Sequence, residues 1–336
     1  MTLPFTGGAL RRRGCLAAAA LALLGTLAPA AQAQDDFPSR NLTLIVPYPA
    51  GGANDAVGRL IGQKMAEVLG QAVVVDNRPG AGTAIGTAMA ARAPSDGYTL
   101  VLGSLASHAV TPNLLGYKVA GYDPVADFAP LGLIGKAPII ATVGTDSRYT
   151  SLAAVVEQAR KTPGQVMYGS AGNGSPLHLA GALFGRAAGV EMTHVPYKGG
   201  NAHTLDLIAG RLDVIFDTST SALPLTRGGK ARALAVAAPT RLAELPDVPT
   251  FAEAGYKNFQ VDAWYALYTR AKTPAPVLRK LGDALAKVMQ MPDVNERLQQ
   301  FAITPAHGSA EQLAVFTRQE LDKYGTVIRE MNIRPD

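Results

Sequence analysis

From Leu42 onward the chain alternates short apolar runs with stretches in which apolar residues recur every three or four positions. Leu42 to Val46 is apolar but for Thr43, the pattern of a strand covered on both faces of a parallel sheet. A Gly51-Gly52 turn follows, and then Val57, Leu60, Ile61, Met65 and Val68 fall on one helical face, with Gly70 where a C-cap glycine belongs. Val73 to Val75 predicts a second strand, Ala84 to Ala91 a second helix and Thr99 to Leu102 a third strand. Such alternation argues for an α/β domain with a parallel sheet.

A second set begins beyond Gly135. Leu152 to Lys161, Pro176 to Ala188 and Asn201 to Ala209 read as helices; Val166 to Tyr168, Met192 to Val195 and Asp213 to Phe216 read as strands. Three long extended runs stand between and after the sets: "FAPLGLIGKAPIIATV", "ARALAVAA" (231–238) and "FQVDAWYALYTR". Two α/β units joined by two crossings predict two lobes with a ligand cleft outside the strand ends. The expected division is residues 34–136 plus 239–336 for one lobe and 137–238 for the other, with bending near Gly135–Pro138 and Ala231–Ala238. Pro274 to Met289 and a capping box at Ser309 to Gln312 predict two C-terminal helices, the second reaching Met331.

The first thirty-odd residues follow a different pattern. Arg11 to Arg13, an apolar run from Leu16 to Leu27 and the small-residue ending Ala31-Gln32-Ala33 form a secretory signal, with a mature chain from about Gln34. The apolar run is shorter than the ~20 residues of a membrane span. Export to the periplasm follows, by the general or the twin-arginine route. The three arginines leave with the signal, so the basic excess falls from five to two, and a nucleic-acid partner loses its support. The sole cysteine, Cys15, leaves as well. The mature chain therefore has neither disulfide nor thiol chemistry and depends on its apolar core.

The usual catalytic and cofactor signatures are missing. Gly51-Gly52 lacks the Gly-Lys-Ser/Thr of a phosphate loop, and Gly80, Gly82 and Gly86 follow the second strand with a spacing one residue off the dinucleotide fingerprint. The five histidines show no metal-ligand spacing, so neither cofactor nor metal is expected. Ser175 and His178, with Asp217 as a third member, offer a hydrolase alternative. Ser175-Pro176 also reads as a helix N-cap followed by the favoured first-turn proline.

What remains is a set of small polar loops at strand ends: "PYPAGGAND", "GSLASHAV", "GSAGNGS", "PYKGG" and "FDTSTSA". Their glycines and serines let a ligand approach main-chain N–H groups, and helices entering at Asn54, Ser175 and Asn201 bring positive dipole ends suited to an anion. Lys198 is their only cation. Neutral donors avoid the desolvation cost of a buried ion pair.

"VPYPAGGANDAVGRL", "VVVDNRPGAGTAIG", "DGYTLVLGS", "SHAVTPNL", "YGSAGNGSPLHLAG", "VPYKGG", "FDTSTSALP" and "LPDVPTFAEAG" together resemble the Bug/TctC family of extracytoplasmic solute receptors of tripartite tricarboxylate transporters. The resemblance spans the mature chain in the family's order. It implies a two-lobed periplasmic-binding-protein (Venus flytrap) fold, type II-like, with two parallel-rich sheets. It also implies a monomer that carries a small organic carboxylate to transporter membrane subunits. The ligand-binding positions it implies are Tyr48, Ala50, Gly51, Gly52 and Asp55 in the first lobe. In the second they are Ser170, Gly172, Ser175, Tyr197 and Asp217. Ser104 and Ser107 join them from the loop after the third strand. Thr218 stands where many relatives have Asn, so the distal part of the ligand stays open. A receptor handing its signal to a membrane sensor is a further alternative.

Overall fold

The computed structural model describes residues 1–2, 37–197, 202–257, 259, 261–306 and 308–335. The expected signal segment therefore lies almost wholly outside the described residues, as do Lys198 and Asn201. Residues up to Ser39 form a separate unit, and Arg40–Asp336 form the unit described below.

The first half opens with β1 (Leu42–Val46), α1 (Ala53–Leu69), β2 (Val73–Asn77), α2 (Ala84–Ala91) and β3 (Thr99–Ser104). The strands pair in parallel, Leu42 with Val73 and Thr43 with Thr99. α1 and α2 both pack on β1, whose only half-buried residue is Thr43; Val57, Ile61 and Met65 of α1 are fully buried, and Gly70 ends the helix in the left-handed conformation. A π-helical turn (Ala106–Val110) leads into the short helices α3 (Thr111–Leu115) and α4 (Tyr117–Ala120).

β4 (Phe128–Gly144) then runs through both halves. The second half follows with α5 (Leu152–Lys161), β5 (Met167–Ser170), α6 (Pro176–Ala188), β6 (Thr193–Pro196), α7 (Ala202–Ile208), β7 (Val214–Thr218), α8 (Ser219–Arg227) and β8 (Ala231–Val236). β9 (Asp262–Arg270), α9 (Ala275–Met289), α10 (Pro292–Gln300), β10 (Thr304–Pro305) and α11 (Ala310–Glu330) complete the chain.

The sheet order β2-β1-β3-β9-β4-β7-β5-β6 makes one curled, mixed α/β arrangement with flanking helices. β5 pairs in parallel with β6 and β7, whereas β4, β8, β9 and β10 enter antiparallel. β4 changes partner at one point. Up to Pro138 it pairs with β9; from Ile139 it pairs with β7 and from Ile140 with β8. Pro138 has no N–H to give the ladder, which suits the position where the partner changes. At Gly135 the chain passes so close to β10 that a Cβ would lie 2.7 Å from the Thr304 carbonyl oxygen.

One expectation needs correcting. The run 231–238 is not a crossing: β8 lies on the distal part of β4, within the second half. Phe251, Phe259 and Val261 pack in the same core as Tyr168, Phe184 and Phe216. Beyond residue 238 the chain thus still packs in this core as far as Val261, and β9 begins at Asp262. The difference is tertiary: both runs are apolar and extended, and only strand pairing separates them.

Candidate functional site

In the first half, the loop after β1 is held by a buried carboxylate. Asp55 Oδ2 accepts from the Gly51 N–H at 2.9 Å and from Arg59 Nε at 3.0 Å; Oδ1 accepts from Asn77 Nδ2 at 3.0 Å. Asn77 Nδ2 also donates to the Tyr48 carbonyl at 3.1 Å, tying the end of β2 to the same turn. Burial alone would raise the Asp55 pKa, but the hydrogen bonds from Arg59, Gly51 and Asn77 and the Arg59 charge outweigh it and hold it below the usual carboxylate range. Asp55 therefore acts as an internal brace. The Gly51 N–H is spent on that brace rather than left open.

Gly51 carries φ +83°, the left-handed region, while Gly52 is extended at φ −90°, ψ 177°. The conformational demand for glycine thus falls on Gly51. Gly52 is the N-cap of α1 and has no side chain to accept from the first-turn amides. Ala50, at the tip of the turn, is exposed.

Tyr48, Ser104 and Ser107 form one hydrogen-bonded row. Tyr48 Oη lies 2.6 Å from Ser104 Oγ, Ser104 Oγ lies 3.3 Å from Ser107 Oγ, and Ser107 Oγ lies 2.9 Å from His108 Nδ1. The π-turn brings Ser107 back to β3, where its Oγ accepts the Ser104 N–H at 2.9 Å. Burial pushes Tyr48 upward, against the opposing effect of the Ser104 bond, and pushes His108 down to about 3, so this row is uncharged at neutral pH.

In the second half, Ser170 Oγ lies 2.6 Å from His194 Nε2 and accepts the Gly172 N–H at 3.1 Å. His194 stacks on His178 with ring centres 3.8 Å apart and planes 2° from parallel. Burial, and then His178, push His194 down to about 4. Ser175 Oγ accepts the His178 N–H at 3.2 Å as the N-cap of α6, and His178 Nδ1 accepts the Gly174 N–H at 2.9 Å. Asp217 pairs with His203, not His178, at 3.1 Å in a fully buried contact. The Ser175–His178–Asp217 alternative is therefore not wired as a relay.

Tyr197 N–H donates to the Ser170 carbonyl at 3.0 Å, placing its residue beside the β5 loop. Its hydroxyl, however, donates to Asp206 Oδ2 at 2.5 Å, and burial followed by that bond pushes it up to about 12. Asp217 Oδ1 accepts the Thr218 N–H at 2.7 Å, leaving Thr218 Oγ1 to meet Thr220 Oγ1 at 2.7 Å. Like Gly52, N-cap Thr218 gives its helix no side-chain acceptor. Burial pushes the hydroxyl of Tyr265 on β9 up to about 12, against the opposing effect of Thr220. Tyr265 is the register partner of Ser104, so it links the two sets of loops.

Sequence reasoning missed Asn77, His194, His203 and Tyr265. A polar residue ending an apolar strand marks Asn77; nothing distinguishes Tyr265 from its apolar neighbours. Among the described residues, no group of three or more His, Cys, Asp or Glu could hold a metal ion, and no helix is long and apolar enough to cross a membrane.

At two of these loops, those after β1 and β7, the N-cap residues Gly52 and Thr218 make no side-chain bond to the helix that follows. Residues 57–333 match the family described as tripartite tricarboxylate transporter family receptor, TctC. The chain belongs to that family. A relative, the UPF0065 protein in the tcbD-tcbE intergenic region of Pseudomonas sp. (strain P51), is 39% identical over 323 residues, covering 96% of this chain and 95% of its own. Among solved structures, R. palustris Rpa4515 with adipate superposes with a TM-score of 0.84 at 33% identity, over 90% of this chain and all of that one. MatC from Rhodopseudomonas palustris with bound malate gives 0.79 at 32%, over 87% and 100%. The fold is thus that of the Bug/TctC periplasmic binding proteins.

Proposed function

We propose that this TctC-family protein is a periplasmic receptor that captures a small organic carboxylate between two lobes and delivers it to tripartite-transporter membrane subunits. The observation that carries this reading is the start of α1. A glycine N-cap leaves its first-turn amides without a side-chain acceptor, and a buried Asp55 fixes the preceding turn. One ligand carboxylate sits on those amides, beside Ala50 and Gly52, with the Tyr48–Ser104–Ser107 hydroxyl row as its neighbour. Ser170, Gly172, Ser175 and Thr218 line the opposite side, while Asp55, Tyr197 and Asp217 act by holding loops in place. The lobes bend at Pro138–Ile139 and Val261–Asp262. Relatives solved with adipate and malate make dicarboxylates the first class to try. An export signal over residues 1–33 supplies the address.

The test is a thermal-shift screen of the mature protein with malate, adipate and a panel of mono-, di- and tricarboxylates, followed by calorimetry. A ligand at 100 times its Kd adds about 2.7 kcal/mol to stability. A panel without a single shift overturns the carboxylate reading; conversion of the bound acid overturns the receptor reading.

A further inference from the structure

α6 has two working faces. Ala180, Phe184 and Ala188 recur every four residues and enter the core of the second half. Leu179 and Arg186, seven residues apart on another stripe, face the first half. Leu179 is fully buried within the cluster built by Leu105, Ala109, Val110, Trp264 and Tyr324, all first-half residues. Arg186 Nη1 meets Glu330 Oε2, at the end of α11, at 2.7 Å. Ahead of the helix, Gly174 lies so close to Leu114 of α3 that a Cβ there would be 2.1 Å from Leu114 Cδ2. Three contacts of different kinds thus join one helix to parts of the chain linked to it covalently only through the two crossings.

We propose that this edge of α6 is a closure latch, which holds the two halves together before any ligand arrives. The inference rests on the two-lobe reading above but not on the ligand's chemistry. The same helix carries the 169–175 loop at its N-terminus, so the latch and the ligand loop move as one body. Ligand affinity scales with the fraction of molecules already competent to bind, so the latch raises apparent affinity without touching the ligand.

Small-angle scattering on the ligand-free mature protein tests this, with circular dichroism as the folding control. Leu179→Gln puts an amide into the apolar seat and should shift the radius of gyration upward; Leu114→Gln, on a half-buried position, should do the same if Leu179→Gln does not fold. Glu330→Arg should give a smaller shift in the same direction, and adding Arg186→Glu should reverse it. A folded Leu179→Gln or Leu114→Gln with the radius of the parent overturns the latch. Because no ligand is present, that result leaves the carboxylate reading, scored by calorimetry, untouched.

Discussion

The Gly51 N–H donates to Asp55 Oδ2 across 2.9 Å, closing the β1–α1 turn with the carboxylate that lies four residues ahead of it. The bond gives Gly51 and Asp55 the task of building the turn, while Gly52 caps α1 without a side-chain acceptor.

Asp55→Ala should therefore cost both stability and binding. It strips partners from the Gly51 N–H, Arg59 and Asn77 at a buried point, a loss of about 1–3 kcal/mol. Urea denaturation measures the first effect and calorimetry with malate or adipate the second. Since the folded carboxyl titrates below the usual range, the stabilisation is complete above the unfolded value near ~3.9 and is lost as pH falls through the folded one.

The two turn glycines should respond differently. Gly51→Ala forces a Cβ into the left-handed region and should lower stability by about 1–2 kcal/mol, although nothing lies within 4 Å of that Cβ. Gly52→Val keeps an allowed backbone, with only the Pro49 carbonyl at 3.9 Å from the new Cβ, and should fold. Its branched side chain stands beside the first-turn amides, so calorimetry should find binding abolished. Wild-type affinity in folded Gly52→Val would move the carboxylate elsewhere.

Acid should weaken the fold well before the carboxylates titrate. His108 takes a proton near ~6.5 when unfolded but only at about 3 when folded. Between these values the unfolded chain binds more protons, so stability rises with pH and falls on acidification, by up to about 1.4 kcal/mol per pH unit. His194, held down to about 4, adds an effect of the same sign. Urea midpoints at pH 7, 6 and 5 should fall in that order, and His108→Phe should flatten the series. A parent midpoint independent of pH would refute the buried neutral imidazole.

Breaking the His203–Asp217 pair should be costlier than any surface ion pair. His203→Leu leaves the buried Asp217 Oδ2 without its side-chain partner, a loss of about 1–3 kcal/mol. Arg211→Ala removes an exposed partner of Asp206 and should leave the unfolding temperature close to that of the parent. Thermal unfolding of both variants gives the comparison.

The mature chain should begin at or near Gln34, as N-terminal sequencing of protein recovered from the periplasm will show; retention of Arg11 to Arg13 would contradict the signal assignment.

The elements around α1 were legible because each apolar run is bounded by glycine or a polar turn, as with Leu42–Val46 before Gly51-Gly52 and Gly70 before Val73. The five loops stood out by composition for the same reason. What stayed hidden was partner choice. β8 and β9 look alike in sequence, yet one remains on the second half and the other crosses. The brace was equally invisible, since Asn77 reaches Asp55 only after the strand pairing of β1 and β2 brings residues 22 positions apart together. Tyr197 shows the limit of a loop's composition: the residue sits beside Ser170, but its hydroxyl faces Asp206.

β4 also imposes an arithmetic of odd and even. Because strand side chains alternate between faces, one added residue turns every later position over. The strand runs through both halves, and beyond Pro138 both of its faces are buried, so an insertion there would send Ile139, Ala141 and Val143 to the face that Ile140 now fills and mismatch both cores. The register shifts already present lie between Pro130 and Gly132, Leu133 and Gly135, and Ala141 and Thr142, all away from the Pro138–Ile139 changeover. The residue count through the shared strand is therefore a parity that both halves must keep.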